Sequence, residues 1–140
     1  MTRIKVVFDT NIYLSAIIFG GNPRKVLLLT IDKKITLYSS GEILLELALK
    51  LKNKFKWSFQ KVNLTVKAIG ELAKIVKPKD KINVIKKDPT DNKILEAAIE
   101  SKADFIVTGD NHLLELKKYK RIKIIQATDL LKYIKTIGIQ

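Results

Sequence analysis

The sequence predicts an α/β fold in which a parallel sheet is covered by helices on both faces. Short apolar, β-branched runs recur along the chain and alternate with stretches of helical periodicity, the pattern of parallel strands joined by crossover helices. Two of these runs, VVFDTN and DFIVTGDNHLL, stop on a carboxylate, Asp9 and Asp110, where a helix is about to begin. Carboxyl ends of parallel strands share one rim, and ligands of open sheets bind there. Acids far apart in the sequence are thereby expected to meet.

The elements follow in order. Residues 4–8 read as a buried strand. Residues 11–18 are a short helix, Gly20-Gly21-Asn22-Pro23 a turn, and residues 24–31 a second helix. Residues 35–38 are a strand. Ser39 or Ser40 then caps a helix running to Phe55, and a helical stretch over 58–76 is closed by Pro78. Residues 82–85 are expected as a strand, 89–102 as a helix and 105–108 as a strand. A short helix at 111–116 precedes a strand at 122–125, and the last helix begins near Thr128-Asp129. With no repeat, low-complexity segment or long linker, residues 1–140 are expected to form a single domain with enough chain to bury a core.

Lys+Arg 27 against Asp+Glu 14 gives a net charge of +13, a field that favours polyanionic partners without specifying a fold. The basic residues are dispersed from Arg3 to Lys135, and dispersed lysine with abundant isoleucine and no cysteine also fits a thermophile's surface. The absence of cysteine excludes a disulfide framework and any thiolate zinc site. No signal peptide is legible and no apolar stretch has the length of a bilayer span, so a cytoplasmic protein with no membrane association is expected.

Each acid has a plain structural role open to it. Asp9 and Asp110 sit where helix N-caps sit, and Gly109 lets the chain turn sharply before Asp110. Asp88 with Pro89 after it is ordinary helix punctuation. Asp91 falls in the first turn of that helix, where negative charge suits the dipole, and it is the better candidate of the two because a cap is committed to backbone donors. Glu42 has capping-box spacing from Ser39. Glu46 lies on the polar stripe of its helix with Lys50 at i, i+4, and periodicity alone assigns it to a solvated ion pair. His112, the only histidine, cannot by itself build a histidine metal site and is expected on a partly exposed helix position. Thr10, Asn11, Thr108 and Asn111 are polar neighbours suited either to orient carboxylates or to cap helices.

Carboxylates crowded at one rim repel and shift one another's pKa, and a divalent cation relieves that repulsion. With no cysteine and one histidine the ligands would be oxygens, which selects Mg2+ or Mn2+. Such ions activate water and neutralise charge on a phosphodiester. Basic surroundings would hold the polyanion by phosphate contacts.

The segments VVFDTNIYLSAI, EILLELALKL and DPTDNKILEAAIESKADFIVTGDNHLL, in this order over nearly the whole chain, resemble the PIN-domain family, in particular the toxin subunits of VapBC-type toxin–antitoxin systems and their PIN relatives. The resemblance implies a three-layer α/β/α sandwich on a central five-stranded parallel sheet and a Mg2+- or Mn2+-dependent endoribonuclease. Position by position it implies Asp9, Glu46, Asp91 and Asp110 as the catalytic and metal-ligating acids, which reverses the periodicity reading of Glu46. It implies Thr10, Asn11 and Thr108 as supports, with Asp88 as a further supporting acid, and leaves Glu42 outside. It also implies an RNA substrate, a homodimer and silencing by a separate antitoxin protein, although PIN domains serve in RNA processing and decay as well. Competing readings are a non-catalytic RNA-binding module and an Asp-nucleophile phosphatase. In the latter, Asn11 stands where the general-acid aspartate belongs and cannot transfer the proton.

Overall fold

A computed structural model describes residues 3–83, 85 and 91–138. Its elements run β1 (Ile4–Phe8), α1 (Thr10–Ile18), α2 (Gly21–Ile31), β2 (Ile35–Ser40), α3 (Gly41–Asn53), α4 (Phe59–Leu72), β3 (Lys74–Val76), α5 (Asn92–Ser101), β4 (Phe105–Val107), α6 (Asn111–Leu114), β5 (Lys118–Tyr119), β6 (Ile122–Ile125) and α7 (Ala127–Thr136). The strands form one sheet in the order β3-β2-β1-β4-β6-β5. Val6, Val7 and Phe8 on the central strand are all 0% exposed. Successive residues of a strand point to opposite faces, so both faces of the sheet are covered, as the α/β/α expectation requires.

Two details correct that expectation. The sheet has six strands among the described residues, not five, and β5 pairs antiparallel with β6 while the other ladders are parallel. The second correction concerns the third strand. The helix expected over 58–76 ends at Leu72, and Lys74–Val76 turns back as β3 beside β2.

Ile82, Asn83 and Ile85, expected in a strand, are not in one. Their side of the chain is tied to α5 by side chains instead. Glu100 accepts from the Lys79 amide at 3.0 Å and Glu96 from the Ile82 amide at 3.0 Å. Asn92 brackets Ile85, accepting from its N–H and donating to its C=O, both at 2.9 Å. Backbone groups satisfied in this way have no need of a ladder. Asp88 and the first residues of the helix expected from 89 lie outside the described residues.

The topology places a crevice. From β1 the chain moves outward to β2 and β3, then crosses back through α5 to β4 on the other side of β1. Strand order therefore reverses between β1 and β4, the switch point at which open sheets bind ligands. Phe8 is paired with Val107 there, so the next residues of each strand, Asp9 and Thr108, open directly onto it. No single helix among the described residues is long and apolar enough to cross a membrane.

Candidate functional site

Asp9 ends β1 and stands at the N-cap position of α1, but its side chain makes no cap bond. The capping role open to it in the sequence is therefore not the one it plays. Its amide donates to the Val107 carbonyl at 2.9 Å, extending the β1–β4 ladder, and its carboxylate receives the Thr108 hydroxyl at 2.8 Å. The same Thr108 oxygen accepts from the Asp110 amide at 2.9 Å. One hydroxyl thus joins the ends of the two central strands and fixes both acids. Asp9 is 4% exposed and Thr108 0%.

Asp110 does cap its helix: the carboxylate accepts from the His112 amide at 2.7 Å. The imidazole of His112 folds back beside it, with Nδ1 3.8 Å from an Asp110 oxygen. Asp91 stands just before α5 and is 7% exposed, with no side-chain cap bond to that helix. Asp91, Asp110 and His112 each offer a ligand atom, and these atoms lie within 4.8 Å of one another.

Glu46 reaches the cluster from α3. The Ser40 hydroxyl accepts from the Ile43 amide to start that helix, and Ile43, Leu47 and Leu51, all 0% exposed, seat it on the core. Glu46 is left facing the rim. It accepts the Thr10 hydroxyl at 3.0 Å and pairs with Lys50 at 3.1 Å and with Lys93 of α5 at 2.6 Å. Lys50 in turn donates to Asn11 at 3.2 Å. The i, i+4 pair expected from periodicity exists, and it sits among the acids rather than in open solvent. Glu42 is elsewhere: it pairs with exposed Lys81.

The four acids are therefore linked in space, Glu46 to Asp9, Asp9 to Asp110 and Asp110 to Asp91. The electrostatics differ along the row. Burial, and then the charges of Asp110 and Glu46, push the Asp9 carboxyl above its ordinary value against the Thr108 hydrogen bond and Lys50. Burial also opposes ionisation of Glu46, but Lys93 and Lys50 outweigh it and hold that carboxyl below its ordinary value. Lys93 and the orientation of His112 were not foreseen. The Lys93 pair joins two helices distant in sequence and leaves no spacing signal, whereas a histidine two residues after a capping aspartate does.

The PIN domain family profile matches residues 5–112. An uncharacterized protein of Methanocaldococcus jannaschii is 37% identical over 131 residues, covering 88% of this chain and 83% of that protein. The crystal structure of VapBC2 from Rickettsia felis, bound to a DNA fragment from their promoter, superposes with a TM-score of 0.60 over 86% of this chain and 97% of that one. At 17% identity that likeness is one of fold.

Proposed function

The chain belongs to the PIN domain family, and from that membership we propose that it is a divalent-metal-dependent endoribonuclease whose residues 1–140 work as one nuclease domain. Asp9, Glu46, Asp91 and Asp110 are its catalytic and metal-ligating carboxylates, supported by Thr10, Asn11 and Thr108. The supporting observation is the convergence of acids from β1, α3, α5 and the end of β4 on the switch point of the sheet.

The residues fit a hard divalent cation. Carboxylates from separate elements converge there, and carboxylate oxygens suit Mg2+ or Mn2+. When bound, the ion supplies an activated water and neutralises charge on the scissile phosphodiester. The chain's own residues do the rest. Thr108 fixes the Asp9 carboxylate, and its oxygen anchors the Asp110 backbone. Glu46 gathers Lys50 and Lys93 at the rim, where their ammonium groups present positive charge to an RNA backbone.

The likeness to VapBC toxins makes a toxin held in check by a separate antitoxin the most specific form of this reading. A homodimer goes with it, and Leu28 and Ile31 of α2, 46% and 51% exposed, are candidates for its contact. The test is incubation with end-labelled single-stranded RNA in Mn2+, in Mg2+ and in EDTA. Cleavage that needs the metal is expected. Salt-sensitive RNA binding with no cleavage in any metal would instead identify a non-catalytic RNA-binding module, and phosphate release from a small monoester would identify a phosphatase.

A further inference from the structure

The sequence argues for an oxygen-only metal site, and the structure gives a reason to revise that. His112 Nδ1 is buried and has no hydrogen-bond partner, although the side chain as a whole is 38% exposed. Buried polar atoms are nearly always satisfied, and an orphan calls for an explanation. The Asp110 carboxylate accepts from the His112 amide, which fixes the His112 backbone in the first turn of α6, and the ring lies with Nδ1 3.8 Å from that same carboxylate.

The distance between Asp110 and His112 agrees with shared ligation. Two atoms each about 2.1 Å from one ion lie up to about 4.2 Å apart, and His112 Nδ1 is 3.8 Å from Asp110 Oδ1. Asp91 brings a third ligand atom to a group that lies within 4.8 Å, a span that one ion would have to draw in slightly. Asp91, Asp110 and His112 are thus the described residues whose ligand atoms lie nearest one another in the cluster.

We propose that His112 is, through Nδ1, a nitrogen ligand of the metal held by Asp91 and Asp110, and that it biases the site toward Mn2+ over Mg2+. The proposal rests on the metal-dependent reading given above. A nitrogen donor costs Mg2+, which prefers oxygen, more than it costs Mn2+, which accepts imidazole.

The experiment is a titration of the full chain with Mn2+, without RNA. Electron paramagnetic resonance counts bound metal, and its pulsed form detects hyperfine coupling to ligand nitrogen. Wild type is expected to bind Mn2+ and show nitrogen coupling. His112→Ala should bind roughly tenfold to a hundredfold more weakly and lose the coupling. His112→Asp, which restores a ligand but supplies oxygen, should regain affinity without the coupling and narrow the preference for Mn2+ over Mg2+. Tight binding by wild type with no nitrogen coupling overturns the histidine ligand and leaves the carboxylate site standing. Failure of wild type to bind Mn2+ at all overturns both.

Discussion

Replacing Asp9 by asparagine is expected to abolish RNA cleavage while leaving the protein at least as stable at neutral pH. The carboxylate is buried beside other acids, and a bound metal's contribution to the transition state is several kcal/mol, so losing a ligand charge lowers the rate on the order of 10³-fold. Asparagine has the same shape and still offers an oxygen to the Thr108 hydroxyl, so the bridge between β1 and β4 survives. The stability sign follows from the carboxyl itself. Asp9 is held above its ordinary value, chiefly by burial. Between the unfolded value of about 3.9 and the raised native one, the folded protein therefore holds a proton that the unfolded chain has lost. That contribution is present below the unfolded value and is lost as pH rises through the raised native one. Above the unfolded value and without metal the raised carboxyl works against folding, and the neutral amide removes that cost. Glu46 runs the other way, because Lys93 and Lys50 lower its value. Its contribution is present above the unfolded value and fades as pH falls through the native one. Cleavage rates, together with melting curves from pH 4 to 8 in chelator, check both halves. A variant that still cuts RNA rejects Asp9 as part of the site.

The largest stability effect is expected at Leu47, the residue after Glu46. It is 0% exposed on α3, and truncation to alanine leaves a cavity worth about 2–5 kcal/mol. For a chain of this size that lowers Tm by on the order of 10 °C. Leu45→Ala, two residues earlier at a position 59% exposed, should change stability by no more than about 0.5 kcal/mol. Thermal melts of the pair separate a helix seated on one apolar face from one that merely reads as leucine-rich. An equal effect at both positions would reject the packing of α3 and, with it, the orientation of Glu46.

What the sequence made legible is what local pattern encodes. The apolar runs of β1, β4 and β6 are buried strands whose flanks hold Asp9 and Asp110, and Ser40 and Ser58 start α3 and α4 by capping the amides of Ile43 and Lys61. The segment 82–85 has the composition of a strand, but the amides of Ile82 and Ile85 are claimed by Glu96 and Asn92 on the following helix, a tertiary choice that period-2 patterning cannot express. β3 is three residues long and β5 two, too short to leave a pattern. In the site, Asp9 and Asp110 stand out because each interrupts an apolar run. Glu46 does not, since its pair with Lys50 looks the same in solvent as at a rim. What separates the two cases is Thr10 and Lys93, brought to it by α1 and α5. His112 reads in the sequence as a lone histidine on a partly exposed helix position, and its side chain is 38% exposed on α6.

The central claim is that carboxylates from separate elements share a divalent ion at the switch point of the sheet. Anomalous scattering from crystals grown with Mn2+ tests it most directly. The account predicts a peak among Asp9, Asp91 and Asp110, within ligand distance of these carboxylates. Ordered carboxylates with no peak between them, at Mn2+ concentrations that support cleavage, would contradict it.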